Sequence, residues 1–341
     1  MAKIVLGIGC THTPQLHTPA DKWDIRADRD RKDGVPLWYR GCRMNYAEVL
    51  EKRRHMDLEA QTTMDVREQR LRQSFAAIDV LREIFANARP DVAIIFGNDQ
   101  GEMFLDDIKP AFTIMGCAEF ENMPRSDEQI ARLPPGIALS DAGHLPDCGR
   151  EVFPGHPALA THIADHAIRS GFDIAYSARQ PHADPSRAHA GGMPHAYGFI
   201  YKQIFRGSVV PSIVVDTNTF YPPNQPLAQR CLALGQIVGD AILDWDEDIR
   251  VCVIASGGLS HFVVDEEFDR DILQAMRNSN FAHLLTYSEG YYQAGSSEIK
   301  SWIVAGGAMH RAALDGHIVD YQPLYRTAAG TGSSAAFMVW Q

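Results

Sequence analysis

The feature that most constrains this chain is a set of short apolar segments that each end abruptly in polar residues. The first runs from Lys3 to Ile8 and is followed by His12 and Pro14, a residue that favours an extended or turning backbone. Similar segments cover residues 91–97, 209–216 and 249–255. Their length and their β-branched residues are typical of buried strands. The chain therefore predicts several strands that each deliver polar side chains to a loop.

Segments with helical spacing of their apolar residues alternate with these strands. They predict helices over residues 71–85, 157–170, 227–245 and 265–277. This alternation is typical of an α/β fold with a mostly parallel central sheet and helices on both faces. No repeat, low-complexity tract or linker divides the sequence. We therefore expect a single domain over residues 1–341, with a helical N-terminal insertion over residues 18–89.

Charge and composition argue against several classes of partner. The net charge of −11 disfavours nucleic acid and anionic membranes. No apolar run reaches the length that spans a bilayer, and the first residues lack the pattern of a secretion signal. The six cysteines include no close pair of the zinc-site type, so we expect reduced thiols. These features predict a cytoplasmic protein and are compatible with a local basic pocket for an anionic small molecule.

Polar side chains that follow parallel strands are expected to converge, because the carboxyl ends of such strands meet at one edge of the sheet. The residues that follow the four predicted strands are His12, Asp99 with Gln100, Asn218 and His261. The glycines that precede His261 permit a tight turn, which would present its ring toward a cavity. His195, preceded by Pro194, is placed in a similar way. This convergence favours a functional site.

Single residues of this set also have structural interpretations. His12 could lie in a capped turn, and His261 could be a hydrogen-bonded histidine at a strand end. Glu298 falls in the first turn of a predicted helix, with Ser296 or Ser297 as its N-cap, where the helix dipole favours a carboxylate. The argument for a site therefore depends on the whole set.

Several short motifs, taken together and in order, resemble the class III extradiol ring-cleavage dioxygenases, the superfamily of the catalytic β subunit of protocatechuate 4,5-dioxygenase. The resemblance covers nearly the whole chain and points in particular to the single-chain gallate and methylgallate dioxygenase-like branch. The motifs are Thr11-His-Thr-Pro14, Asn98-Asp-Gln100, Gly155-His-Pro-Ala-Leu-Ala160, Pro194-His-Ala-Tyr-Gly-Phe199, Thr219-Phe-Tyr-Pro-Pro223, Ser256-Gly-Gly-Leu-Ser-His261 and Ser297-Glu-Ile-Lys-Ser-Trp302.

The resemblance implies a mononuclear Fe(II) site held by two imidazoles and one carboxylate. It assigns His12 and Glu298 as two of these ligands. Better-known members have the sequence Asn-Asp-His where this chain has Asn98-Asp99-Gln100, so glutamine stands in place of the histidine. The third ligand is therefore Gln100, Asp99 or a histidine from elsewhere, or the site binds a different metal. We expect Gln100 to stay near the metal.

The resemblance also assigns catalytic roles to two further histidines. His261 matches the family's acid-base histidine, a role that suits a side chain titrating near neutral pH. His195 matches a second pocket histidine that would hydrogen-bond the substrate or an oxygen intermediate.

The expected substrate is a small carboxylated aromatic, with O₂ as the co-substrate. Asn218 and Tyr221 are expected to contact it, and Arg326 or, second, Lys300 would supply a local cation for its carboxylate. The two-chain members of the family use a companion subunit as a lid. We expect the insertion over residues 18–89 to take over lid or dimer duties in a homodimer.

The expected activity is extradiol cleavage of a catechol-type ring such as protocatechuate, gallate or methylgallate, or of a dihydroxypyridine. A non-redox metal-dependent hydrolase on the same scaffold is an alternative, since the loss of one imidazole could leave a metal-activated water. A non-catalytic binding protein that kept the fold is the other. A binding surface has no need of His12, His195, His261 and Glu298 together, which disfavours this last interpretation.

Overall fold

The structure is a computed structural model that describes residues 1–32, 34–181 and 192–341. The strands among these residues are β1 (Lys3–Cys10), β2 (Leu37–Tyr39), β3 (Cys42–Met44), β4 (Val92–Gly97), β5 (Phe112–Met115), β6 (Glu119–Asn122), β7 (Glu151–Pro154), β8 (Ala175–Ser177), β9 (Ser212–Thr217), β10 (Arg250–Ser256), β11 (His261–Val263), β12 (Gly316–Tyr325) and β13 (Thr331–Trp340).

The α-helices are α1 (Trp23–Asp30), α2 (Tyr46–Arg53), α3 (Met64–Ala88), α4 (Asp127–Arg132), α5 (Pro157–Arg169), α6 (His195–Phe199), α7 (Ala228–Leu243), α8 (Glu266–Arg277), α9 (Phe281–Leu284) and α10 (Ile299–His310). A π-helical turn over Ile200–Ile204 continues α6, and short 3₁₀ turns connect several other elements.

A nine-stranded sheet forms the centre of the molecule, in the order β11-β13-β1-β10-β4-β9-β5-β8, with β12 paired to β13. The neighbouring strands β1, β10, β4 and β9 all run parallel. Antiparallel pairing occurs toward the edges, between β1 and β13 and between β9 and β5. The predicted α/β fold with a mostly parallel central sheet is thus confirmed.

Helices cover both faces of the sheet, as predicted. Ile94 of β4 packs on the side that carries α5, α7 and α10, whereas the next residue, Ile95, packs on the side that carries α3 and α6. Every residue of β4 is buried. Burial on both faces explains why this strand reads as an uninterrupted apolar run rather than as an alternating pattern.

The boundary of the helix near Glu298 differs from the prediction. Ser296, Ser297 and Glu298 belong to a 3₁₀ turn, and Glu298 itself is the N-cap residue of α10. A 3₁₀ turn often precedes an α-helix, and its tighter winding is not visible in the spacing of apolar residues. Glu298 therefore stands before the helix, at a sharp turn, and not inside its first turn.

The insertion over residues 18–89 contributes both to the core and to the edge of the sheet. Leu81 and Phe85 of α3 are buried against the sheet. At the end of α1, Asp30 accepts hydrogen bonds from Nε and Nη2 of Arg326 at 3.0 and 2.8 Å. The insertion is therefore packed into the domain, while its role as a lid or dimer element stays a prediction.

Two further observations concern the class of protein. Among the described helices, none combines the length and the apolar character that crossing a bilayer requires. All six cysteines are free thiols, and four of them are buried.

Candidate metal centre and substrate cavity

The predicted convergence of polar side chains occurs at the carboxyl edge of the parallel strands. His12 follows β1, Gln100 follows β4 and His261 begins β11 just after β10. His195 opens α6 and Glu298 precedes α10, so helices on opposite faces of the sheet bring these two residues to the same edge. The five side chains meet because β1, β10 and β4 are adjacent in the sheet.

The hydrogen bonds of His12 determine which ring nitrogen carries its proton. Nδ1 lies 2.9 Å from Oγ of Ser256, and that hydroxyl donates to the carbonyl of Ala196 at 2.6 Å. A serine hydroxyl has a single proton, so Ser256 must accept from Nδ1–H of His12. The lone pair of His12 is therefore on Nε2.

The lone pair on Nε2 of His12 faces a carboxylate oxygen, which is unfavourable unless a cation lies between the two atoms. Nε2 of His12 is buried without a hydrogen-bond partner among the described residues, and it lies 3.3 Å from Oε2 of Glu298. Two electron-rich atoms that face each other in a buried site require a proton or a metal ion between them. The geometry therefore fits a cation.

Glu298 is fixed through both of its carboxylate oxygens. Oε1 accepts from Nε2 of Gln100 at 2.7 Å, and Oε2 accepts from the backbone N–H of Gly258 at 2.7 Å. Burial opposes ionisation, but His12 and His261 hold the pKa of Glu298 well below its usual range. The site therefore contains an oriented, ionised carboxylate.

His195 is oriented by a carboxylate, Glu102. Its Nδ1 lies 2.8 Å from Oε2 of Glu102, and its backbone N–H donates to Oε1 at 3.1 Å. Burial favours the neutral ring, but Glu102 raises the pKa of His195 above its ordinary value. In return, against the effect of burial, His195 lowers the pKa of Glu102 to about 2. Because an ionised carboxylate only accepts, Nδ1 of His195 is protonated, and Nε2 is the position left for a ligand bond.

His12, His195 and Glu298 form a possible metal-binding set. One ligand atom from each lies within 4.8 Å of the other two. The imidazole rings of His12 and His195 pack edge to face, with centroids 4.8 Å apart. Two imidazoles and one carboxylate are the donor set typical of non-haem Fe(II) oxygenases, and each imidazole has the outer hydrogen bond usual for a metal-ligating histidine.

Gln100 lies beside this set but contacts it in a different way. A carboxylate can only accept, so the amide NH₂ of Gln100 must face Glu298, which turns its carbonyl oxygen away from that residue. The prediction that Gln100 is the third ligand stays a prediction. The structure favours His195 for that position.

Asp99, the other alternative for the third ligand, serves the loop that follows β4. Its carboxylate accepts four backbone N–H groups, and burial raises its pKa to about 6. The donors are Gly101, Glu102, Met103 and Phe104, at 3.0, 3.0, 2.8 and 3.0 Å. These hydrogen bonds occupy both oxygens, so Asp99 shapes the loop that carries Glu102.

Two adjoining cavities border the metal-binding set. The larger, of about 230 Å³, extends from His12 and His195 toward residues 137–144 and Tyr221. The smaller, of about 80 Å³, reaches His261 and Glu298. The two share His12, Gln100, His195 and Arg26 as wall residues. A substrate in the larger cavity would thus lie directly against the metal-binding set.

His261 lies at the far side of the smaller cavity. Its Nδ1 is 2.9 Å from the carbonyl of Leu259, which can only accept, so Nδ1 carries a proton. Nε2 lies 3.6 Å from Oε1 of Glu298. A Cβ on Gly258 would come within 2.6 Å of Cε1 of this ring, so glycine is needed for the ring to approach the carboxylate. His261 is thus placed to exchange a proton through Nε2.

The predicted cations have other partners. Arg326 borders the smaller cavity, but its guanidinium donates to Asp30 and, through Nη1 at 2.9 Å, to Gln15. Lys300 is buried in an ion pair with Glu289 at 2.8 Å and is not a wall residue of either cavity. The expectation that Lys300 meets the substrate therefore has no support from its position.

Asn218 and Tyr221, the two predicted substrate contacts, differ in their positions relative to the larger cavity. Tyr221 is a wall residue of the larger cavity. The side-chain amide of Asn218 donates to the carbonyls of Tyr221 and Asn224 at 2.9 and 3.2 Å. Asn218 therefore shapes the loop that presents Tyr221.

Several residues of the site were not predicted from the sequence to belong to it. Glu102 lies in the polar segment after β4, and Ser256 ends β10, so both adjoin the polar residues that the strand ends had identified. Arg26 of α1 gave no signal, because it is one of several charged residues in a polar segment. His144 packs against His195 with centroids 5.9 Å apart, and burial lowers its pKa to about 3, so its ring is neutral.

The chain is similar in sequence to several known proteins. A family model described as the catalytic LigB subunit of aromatic ring-opening dioxygenase matches residues 58–337. A 2,3-dihydroxyphenylpropionate/2,3-dihydroxicinnamic acid 1,2-dioxygenase of Rhodococcus sp is 30% identical over 188 residues, which is 54% of this chain and 48% of the relative. The gallate dioxygenase of Pseudomonas putida is 26% identical over 183 residues, 50% of each chain. The chain spans about half the length of the curated relatives it matches.

Proposed function

The chain belongs to the family of the catalytic LigB subunit of aromatic ring-opening dioxygenases, and we propose that it performs Fe(II)-dependent extradiol cleavage of a catechol-type aromatic with O₂. The observation that supports this proposal most strongly is the set of His12, His195 and Glu298 beside a cavity. Among the described residues, this set combines two oriented imidazoles with an ionised carboxylate.

The proposed metal ligands are Nε2 of His12, Nε2 of His195 and the carboxylate of Glu298. Ser256 and Glu102 hold the two rings in the tautomer that a metal requires. A bound Fe(II) would supply open positions for the two adjacent hydroxyl oxygens of a catechol and for O₂. Gln100 then acts by orienting Glu298.

Proton transfer is the role proposed for His261. Its Nδ1–H is engaged by the carbonyl of Leu259, which leaves Nε2 to take a proton from a substrate hydroxyl and to return it later. The ring lies at the smaller cavity, beside Glu298, and so it can act next to the metal without being a ligand.

The proposed substrate carries a carboxylate, and Arg26 is the cation that fits it best. Arg26 is a wall residue of both cavities, and no hydrogen bond or ion pair ties it to any part of the chain that the structure describes. Burial and the neighbouring Arg326 lower the pKa of Arg26 to about 10, which leaves it protonated at neutral pH. The relatives named above are dioxygenases of gallate and of dihydroxyphenylpropionate, both aromatic carboxylates.

Oxygen uptake after anaerobic loading with Fe(II) tests the reaction class. The panel contains protocatechuate, gallate, 3-O-methylgallate, catechol and a dihydroxypyridine, and ultraviolet spectra identify the products. Uptake with a ring-opened product is the expected result. Tight stoichiometric zinc with no oxygen uptake from any compound would instead favour a non-redox hydrolase.

Metal analysis of two variants tests the ligand assignment. We expect Glu298→Ala to lose bound iron, because it removes the anionic ligand. Gln100→Ala is the matched control, since it removes only a hydrogen bond to the same carboxylate, and we expect it to retain iron. Equal loss of iron from both variants would show that Gln100 is itself a ligand.

The assembly and compartment are proposed from the family resemblance and from the free thiols. We propose a homodimer in the cytoplasm, where six unpaired cysteines remain reduced. Sedimentation velocity of the purified chain would test the dimer, and a monomer at all concentrations would refute it.

A further inference from the structure

A second group of metal-ligating side chains lies on helices α5 and α7, outside both cavities. We propose that His162, His166 and Asp244 form a second metal site, which takes Zn²⁺ or a related divalent cation and joins the two helices. One ligand atom from each residue lies within 4.8 Å of the other two. The proposed reaction assigns these residues no role.

The two histidines share one face of α5. Residues four positions apart lie above one another on a helix, and the centroids of these rings are 4.5 Å apart. Asp244 caps the end of α7 and places Oδ2 at 3.2 Å from Nε2 of His166. A tetrahedral zinc ion with bonds of about 2.0–2.1 Å holds its ligand atoms roughly 3.4 Å apart, so small side-chain rotations would complete this geometry.

His162 already has the outer hydrogen bond expected of a metal ligand. Its Nε2 lies 3.0 Å from the carbonyl of Ala241, which can only accept, so Nε2 carries a proton and Nδ1 is the nitrogen left for a metal. The indole of Trp245 packs edge-on against the ring, with centroids 5.1 Å apart. The ring is thus oriented by its neighbours, as the ring of a metal-ligating histidine usually is.

The charges around the group favour a cation. It lies at the C-terminal end of α7, where the helix dipole is negative. Asp246, Glu247 and Asp248 follow, and all three are exposed. In the described parts of the chain, the ion-pair partner of Asp244 is His166, and no lysine or arginine neutralises it.

Calorimetric titration of the full chain with Zn²⁺ tests the proposal. The titration uses a variant that carries His12→Ala, so that zinc cannot bind to the metal-binding set of His12, His195 and Glu298. We expect one zinc ion per chain and a rise in the thermal midpoint, because an ion that binds only the folded state stabilises it. Both effects should disappear when His162→Ala and His166→Ala are added together.

His283→Ala in the same background is the matched control. His283 pairs with Asp271 at 2.5 Å, so it is another surface histidine beside a carboxylate but without a second histidine. We expect this variant to bind zinc as its parent does. Zinc binding that survives the loss of His162 and His166, or no saturable binding in the parent, would refute the proposal.

A spectroscopic measurement tests the site without the double variant, and its result therefore does not depend on whether that variant folds. Co²⁺ added to the His12→Ala protein should give the intense visible bands of a four-coordinate nitrogen and oxygen site. Weak bands of hexa-aqua cobalt would refute the proposal. Oxygen uptake by the iron-loaded His162→Ala/His166→Ala chain should equal that of the unmodified chain, which separates this site from the proposed reaction.

Discussion

Arg26→Met removes the positive charge from the wall shared by the two cavities while it keeps a long, flexible side chain. If Arg26 binds a substrate carboxylate, the variant should lose activity only toward substrates that have one. Arg29→Met is the matched control, because Arg29 lies on the same helix and is exposed.

The size of the loss follows from the surroundings of Arg26. A hydrogen bond between charged groups contributes about 1.5–3 kcal/mol, which is roughly 10- to 150-fold in kcat/KM. Arg26 is half-buried, so water screens part of this interaction, and Arg326 remains nearby as a second positive charge. We therefore expect the lower part of that range, about 10- to 30-fold.

The assay compares kcat/KM for protocatechuate and for catechol, measured by oxygen uptake on iron-loaded protein. We expect protocatechuate to lose about 10- to 30-fold and catechol to be nearly unchanged, so that the ratio between them falls. Arg29→Met should leave the ratio as it is. An equal loss for both substrates would show that Arg26 only shapes the cavity. Unchanged kcat/KM for both substrates would place the carboxylate elsewhere and refute the reasoning.

Three further predictions concern the site and its support. Ser256→Ala should weaken iron binding by roughly 10- to 100-fold, measured by competition with a chelator, because His12 loses the hydrogen bond that fixes its tautomer; unchanged affinity would contradict this role. His261→Phe should keep iron and bound substrate but lose roughly 10²- to 10⁴-fold in turnover, as expected for an acid-base group, and normal turnover would remove it from the mechanism. Asp30→Ala should destabilise the protein by about 3–5 kcal/mol in urea unfolding, because it leaves the buried Arg326 without a counter-charge; a loss below about 1 kcal/mol would show that water compensates.

The sequence predicted the edge of the sheet at which the site lies, for a physical reason. The direction of a buried strand and the residue at which it ends are local properties, so His12, Gln100 and His261 could be placed after their strands. The parallel arrangement then brings these positions together whatever the intervening loops do. The same local reasoning predicted α5, α7 and α8 to within a few residues, whereas α3 begins at Met64 and not at the predicted residue 71.

The partners of these residues could not be predicted, because they depend on contacts between distant segments. Glu102 follows β4, but its significance comes from His195, which lies far along the chain at the start of α6. Lys300 looked like an available cation, yet folding buries it against Glu289. The spacing of residues does not indicate which charged side chains will pair after folding. The orientation of the side chains in the site is therefore visible only in the structure.

The position of α1 separates the proposed substrate contact from the proposed metal ligands. The proposed metal ligands belong to the sheet edge and to the starts of helices in the domain core, whereas Arg26 belongs to an inserted segment between β1 and β4. Under the proposed roles, recognition of the substrate and chemistry at the metal are encoded in separate stretches of sequence. If the proposed role of Arg26 is right, changes within α1 alter which aromatic substrate is accepted while the metal centre stays the same. Laboratory selection for new substrates should then accumulate its first mutations in α1.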